Sequence, residues 1–210
     1  MTGHLFMASG LSHDLFKMAR AFVGHLPGGL GIAAIFASAI FAAITGSSAA
    51  TAATIGMIAI PEMRKSGYSD ELTLGTLAAG GTLGILIPPS IPLIIYGMLT
   101  GESVADLFIA GIVPGIIIAF SFAVFLVAIH KFSEKHSTTL EKPVLWNERL
   151  RSVKDAIWGI MGPVIILGGI YSGIFTPTEA AGVGLGYGVI VWFLIYRRAV
   201  SYTHLTLPTN

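Results

Sequence analysis

Apolar residues dominate the stretches 28–61, 72–99, 107–130, 157–175 and 179–196, and polar or charged segments separate them. A bilayer core of ~30 Å needs about 20 helical residues, so each of the last four runs predicts one transmembrane helix. The first run does not fit that rule. As one helix, "GGLGIAAIFASAIFAAITGSSAATAATIGMIAIP" would be ~50 Å long, and cut into two spans it leaves only ~20 Å for residues 49–61. The small polar break "TGSSAAT" inside apolar flanks predicts two half-length helices meeting at a tip within the membrane, a re-entrant hairpin over 28–61.

Residues 1–27 read as a helix end followed by an amphipathic helix. Leu15, Phe16, Ala19, Phe22 and Val23 recur on one face, with Asp14, Lys17 and Arg20 off it. That pattern predicts an in-plane interfacial helix, with Ser12 as its N-cap because a hydroxyl there can accept from a first-turn amide. Residues 62–130 hold a broken helix and the following span. Residues 131–156 form a basic loop with an amphipathic section at "WNERLRSVKDAIW", and 157–198 carry two further spans.

Charge placement tests the hairpin independently, since short cytoplasmic loops collect Lys and Arg. With both ends of 28–61 on one side, Lys17, Arg20, Arg64 and Lys65 share the cytoplasmic face with the basic loop and with Arg197 and Arg198. The opposite loops, "TGESVAD" and "TPTEA", then carry acids and no base. A single crossing at 28–61 would put the two basic sets on opposite faces. Glu62 and Glu179 stand at span ends and read as interfacial.

Composition agrees with this solvent. The chain is 54% hydrophobic and 11% charged with a mean hydropathy of +0.80, against about 25% charged in soluble domains. The fold class is therefore an all-α polytopic membrane protein. A net charge of +1 gives no reason for nucleic-acid binding, and the chain has no cysteine. Its histidines are scattered without paired ligand spacing, so metal catalysis has little support.

The second polar interruption is "LGILIPPSIPLIIYG", residues 83–97, with Pro88, Pro89, Ser90 and Pro92 inside an apolar run. Unpaired backbone groups cost several kcal/mol each in hydrocarbon, so broken helices persist only where buried in protein or lining a wet cavity. In many secondary transporters the freed carbonyls hold a cation, and half-helix N-termini face an anionic substrate. Pro88 and Pro89 remove two amide donors, which frees carbonyls near Gly84 and Ile85, and Ser90 adds a hydroxyl. At the other break Thr45, Ser47, Ser48 and Thr51 offer oxygens, and Gly46 allows a sharp turn. Uncharged oxygens suit a hard monovalent ion such as Na⁺. A simple kink is the alternative reading of the prolines, and close helix packing that of "GSSAAT". The G-x-x-x-G pairs Gly80/Gly84, Gly111/Gly115, Gly169/Gly173 and Gly182/Gly186 indicate close packing only.

These motifs carry a family resemblance. "IFAAITGSSAATAATIG", "IPEMRKSGYS", "GTLGILIPPSIPLIIYG" and "GGIYSGIFTPTEAAGV" resemble the large membrane subunit of tripartite ATP-independent periplasmic (TRAP) transporters, over roughly residues 1–198. The resemblance implies a Na⁺-driven carrier, not an enzyme. It would accept an organic acid, such as a dicarboxylate or sialic acid, from a periplasmic substrate-binding protein and pair with a small membrane subunit in the inner membrane. It also implies an elevator fold of two inverted repeats, with 28–61 as the first hairpin and 72–99 as the first broken helix. Na⁺ is then the coupling ion, with Ser47, Ser48, Gly84, Ile85 and Ser90 as its candidate ligands and Gly46, Pro88, Pro89 and Pro92 as the breaks. The family's large subunit is about twice this length, with helices before residue 1 and a second repeat after "TPTEAA", so the chain reads as a fragment. Residues 199–210, "SYTHLTLPTN" with the two preceding residues, match nothing in the family and read as a non-native tail.

Other function classes fit less well. A channel would need polar residues tracking through several spans, and an intramembrane hydrolase would need a base near Ser47 or Ser48, whereas His130 sits at a helix end beside Lys131. An elevator-type Na⁺-coupled anion carrier that works without a binding protein is the nearest alternative. The two broken elements contain no Asp, Glu, Lys or Arg, which disfavours a proton relay.

Overall fold

In a computed structural model the chain is described over residues 10–132, 143–191 and 193, and these residues form helices without a strand. In chain order they are α1 (Leu11–Val23), α2 (Gly29–Thr45), α3 (Ser48–Lys65), α4 (Asp70–Leu86), α5 (Ile91–Thr100), α6 (Val104–Phe132), α7 (Trp146–Tyr171) and α8 (Pro177–Val191). Residues 133–142, within the expected basic loop 131–156, and all of 199–210 lie outside the described residues.

Helix α2 is the axis of the structure. Its alanines and glycines let helices approach on every side, and it packs against α1, α3, α4, α6 and α7. Ala33, Ala37 and Phe41 join Leu15 and Phe16 of α1, Ile55 and Met63 of α3 and Ala156 of α7 in one core. On its other side Ile32 and Ile35 meet Leu83 of α4 and Ala119, Ala123 and Leu126 of α6.

The long run doubles back on itself. Helices α2 and α3 are joined only by Gly46 and Ser47, and a methyl on Gly31, near the start of α2, would stand 3.7 Å from Met63 Cε, near the end of α3. Arg20 Nη1 donates to Glu62 Oε2 at 2.8 Å, and Lys65 lies 3.6 Å from Glu62. The bases on either side of the run are thus at one end of the structure. The hairpin reaches past the expected boundary at residue 61, because Pro61 sits on an exposed face inside α3 and does not end it.

The runs 72–99 and 107–130 appear as helical segments Asp70–Thr100 and Val104–Phe132, both long and apolar enough to cross a membrane, as is Trp146–Tyr171. Their outward faces carry exposed apolar residues such as Ile95, Met98, Ile117, Phe120 and Val124. In water such surface would be a liability; against lipid tails it costs nothing. The chain is a multi-pass membrane protein.

Local details differ from expectation in three places. The N-cap of α1 is Gly10, in a left-handed conformation, and Ser12 lies buried inside the helix, so Ser12 is not the cap. Phe22 is not on the buried face: its ring meets Trp146 edge-on at 6.4 Å, because α7 passes beside that flank. The amphipathic section at "WNERLRSVKDAIW" is no loop element but the first half of α7, continuous with the apolar span after it. At the start of α8, Thr176 N–H donates to Glu179 Oε2 at 2.8 Å and Glu179 N–H to Thr176 Oγ1 at 3.3 Å. This reciprocal capping, with Pro177 as first helical residue, gives Glu179 a structural task.

Candidate functional site

The two polar interruptions meet. Helix α4 stops at Leu86, where Ile87 N–H still reaches Leu83 O at 2.8 Å, and Pro88 has no N–H to give Gly84 O. The chain passes through a cis Pro88–Pro89 bond, and α5 resumes after Ser90. Pro92 falls in its first turn, where a missing amide has no helical partner to lose. The hairpin turn packs into this gap. Ile91 N–H donates to Gly46 O at 3.3 Å, and a Cβ on Gly46 would lie 2.5 Å from Pro89 O.

Gly46 has φ 61 and ends α2 with its N–H on Ala42 O at 2.8 Å, a left-handed cap that only glycine forms cheaply. Ser47 then caps α3, its Oγ accepting from Ala50 N–H at 3.5 Å. Behind the turn the hydroxyls of Thr45 and Thr51 lie 3.0 Å apart, and Thr45 Oγ1 also donates to Phe41 O at 3.2 Å. From the α4 side, a Cβ on Gly84 would stand 2.8 Å from Ser48 N and 2.9 Å from Ser47 C. The backbone of the break thus lies directly on the backbone of the turn. Gly80 and Gly81 extend the contact, the first against Ser38 and the second against Ala52. Gly111 and Gly115 bring α6 onto Leu86 and Ile87 from the other side.

Ser90 is fully buried, and its Oγ donates to Ile85 O at 2.5 Å. The hydroxyl takes the place of the amide that Pro89 lacks. Of the two carbonyls that the prolines release, Ile85 O is therefore engaged by the neighbouring hydroxyl, and these two oxygens occupy one corner of the junction. Ser47, Ser48, Gly84, Ile85 and Ser90 are brought together, Gly46 and Pro89 form the contact itself, and Pro88 is joined to Pro89 by the cis bond. Pro92 stands one turn away, as a helix-start residue. The sequence reading did not assign the Thr45–Thr51 pair a joint position, nor Pro89 O a contact. The glycine spacing at 80 and 84 was the available signal for the close approach.

Such a junction, two helix breaks apposed by glycine contacts within an all-α multi-pass bundle, is an arrangement that secondary carriers use. Residues 1–206 match the family described as Tripartite ATP-independent periplasmic transporter, DctM component, and the chain belongs to that family. It is 44% identical over 197 residues to the C4-dicarboxylate TRAP transporter large permease protein DctM of Pseudomonas aeruginosa, covering 94% of this chain and 45% of the relative. It is 41% identical over 186 residues to the ectoine TRAP transporter large permease protein TeaC of Halomonas elongata, 89% of this chain and 43% of that one. With the sialic acid TRAP transporter permease protein SiaT of Haemophilus influenzae it shares 38% over 210 residues, the whole of this chain and 32% of the relative. The chain thus spans less than half the length of these relatives, all of which are named as transporter permeases.

Proposed function

We propose that the chain forms part of a Na⁺-coupled carrier in the inner membrane, one that takes up a small organic acid delivered by a periplasmic substrate-binding protein and works beside a small membrane subunit. The observation that supports the ion site is the packing of the Gly46–Ser47 turn into the Ile87–Ser90 break, with Gly46 O bonded to Ile91 N–H. Every side-chain oxygen there belongs to Ser or Thr, an arrangement that fits a hard monovalent cation and offers no titrating group for a proton. The hydroxyl of Ser90 and the carbonyl of Ile85 are close enough to serve one ion together once the hydroxyl turns its lone pair inward. The N-termini of α3 and α5 both start at the junction, and their dipoles favour a carboxylate on that side. In this reading the hairpin and broken helix belong to the first of two inverted repeats of an elevator.

Reconstitution of the full-length transporter in vesicles tests this reading. Uptake of the carboxylate should require an inward Na⁺ gradient and the binding protein together. Uptake driven equally by a proton gradient in Na⁺-free buffer would overturn the ion assignment, and uptake without the binding protein would overturn the delivery step.

A further inference from the structure

The turn at the hairpin tip is short, and its own backbone holds it loosely. Helices α2 and α3 are joined by Gly46, at φ 61, and by Ser47, at φ −133 and ψ 121. A glycine in that place leaves the chain many backbone angles of similar cost. The cap by Ser47 adds little constraint: its Oγ lies 3.5 Å from Ala50 N, beyond the about 2.7–3.2 Å of a well-formed bond. The angle at which α3 leaves α2 therefore needs fixing from outside the turn.

A pair of hydroxyls crosses from one half-helix to the other. Thr45 Oγ1 and Thr51 Oγ1 lie 3.0 Å apart, and among the described residues no other side-chain hydrogen bond joins α2 to α3. Each hydroxyl has a single hydrogen to give. Thr45 donates to Phe41 O at 3.2 Å, so Thr51 is the donor to Thr45. Both hydrogens are thus used inside the hairpin. Thr51 is fully buried, on the face of α3 that carries Ile55 and Ala59 into the core around α2. Ser48 and Ala52 occupy the other face, against Gly84 and Gly81 of α4. The pair therefore sits behind the turn and away from the break that the turn packs into.

We propose that Thr45 and Thr51 are positioning residues for the ion site. Their hydrogen bond fixes the angle between the two half-helices, which aims Gly46 O at Ile91 N–H and holds Ser47 and Ser48 against the break. This assignment rests on the Na⁺ reading of the junction and adds no ligand to it. Hydroxyl bonds between helices join membrane segments without introducing a charge, so the latch leaves the field at the junction to the ion and its own oxygens.

The test measures two quantities in the full-length transporter: the Na⁺ concentration for half-maximal uptake in vesicles, and amide exchange over residues 41–52 in detergent. Valine keeps the shape of threonine and drops the hydroxyl, whereas serine keeps the hydroxyl. Thr51→Val should raise the half-maximal Na⁺ concentration about three- to tenfold and speed exchange at the tip, while Thr51→Ser should stay within about twofold of the parent in both. Thr45→Val strands the buried Thr51 hydrogen and should do at least as much. Thr45→Val/Thr51→Val strands nothing and should be no worse than Thr51→Val alone, because one shared bond is lost only once. Multiplied effects in the double variant would make the threonines independent ligands and overturn the positioning role. Faster exchange with the parent's Na⁺ dependence would reduce the pair to a structural contact and overturn it equally, as would unchanged exchange in Thr51→Val. A parent whose uptake ignores Na⁺ would remove the ion reading and this role together, whereas a Na⁺-dependent parent with unmoved variants removes this role alone. Should Thr45→Val fail to fold, Thr51→Val and Thr51→Ser still decide.

Discussion

The amide of Ile91 donates to the carbonyl of Gly46 across 3.3 Å, joining the first turn of the second half-helix to the tip of the hairpin. The two are far apart in sequence, and the bond requires both breaks at once. It also explains why residue 46 has no side chain: φ is 61 there, and a Cβ would sit 2.5 Å from Pro89 O. Gly46→Ala should therefore suffer twice, by roughly 1–2 kcal/mol for the left-handed backbone and about 1–3 kcal/mol for crowding. Gly67 provides the control, with φ +86 and nothing within 4 Å. Thermal unfolding of the full-length transporter in detergent should show Gly46→Ala clearly less stable than Gly67→Ala, and equal losses would mean the junction yields freely.

Helix α4 gives a parallel comparison. A methyl on Gly84 would press into the backbone of Ser47 and Ser48, which cannot rotate away as a side-chain tip can. A methyl on Gly75 would meet nothing within 4 Å. Gly75→Ala should be neutral or stabilising by up to about 1 kcal/mol, as alanine is the better helix former. Gly84→Ala should destabilise by about 1–3 kcal/mol and impair uptake. Matching stability curves for the two variants would contradict the close approach.

Each break was legible in the sequence because it is local: polar residues interrupt an apolar run at 45–51, and prolines remove amides at 88 and 89. Their meeting was not legible, since it depends on contacts such as Gly84 to Ser48 that no spacing along the chain records. Gly80 and Gly84 read only as a packing motif, because in a chain with 26 glycines the pattern does not name its partner. Helix α7 shows a different limit. Hydropathy rises near residue 157, where solvent changes from water to lipid, whereas the backbone is helical from Trp146. Ser12 fits the cap preference, but the left-handed Gly10 starts the helix earlier. Phe22 fits the apolar periodicity of α1, yet a tertiary partner, Trp146, draws it to the other flank.

The doubling back of α2 and α3 puts Arg20 beside Glu62, so the segments flanking the hairpin belong on one side of the membrane, the basic one. Single cysteines replacing Gly24 and Gly67 in the full-length transporter should both react with an impermeant thiol reagent from the cytoplasmic side. Reaction from opposite sides would exclude a re-entrant hairpin.

Coupling should respond to the junction hydroxyls. Ser47, Ser48 and Ser90 contribute three uncharged oxygens near the breaks, and under the proposed ion site alanine at any of them would leave the cation with one ligand fewer. Ser90→Ala should have the largest effect, because it also strips the donor from Ile85 O in a fully buried setting, at a cost of about 1–3 kcal/mol. The Na⁺ concentration for half-maximal uptake should rise in each variant. Unchanged Na⁺ dependence in all three would leave the backbone carbonyls as the only ligands.

The prolines themselves make the sharpest test, because shape and ion binding predict different outcomes for the same change. Pro88 and Pro89 withhold the amides that would continue α4, and the hydroxyl of Ser90 covers Ile85 O in their stead. In Pro88→Ala/Pro89→Ala two N–H groups return at positions suited to bond Gly84 O and Ile85 O as helical partners. Alanine favours the helix, so the break should close toward Ser90 and displace its hydroxyl. Closing the break also moves Pro89 O and Ile91 N–H away from Gly46, and the hairpin tip loses its seat. If the prolines served only to bend the span, the variant would insert, fold and transport with modest changes in stability. If they hold carbonyls open for the ion, membrane insertion should be normal, as the span remains apolar, while Na⁺-driven uptake falls by at least about tenfold, the equivalent of about 1.4 kcal/mol in coupling. Protein levels in the membrane, measured alongside uptake, separate the two: well-inserted variant with the parent's Na⁺-driven rate would refute the ion-site role.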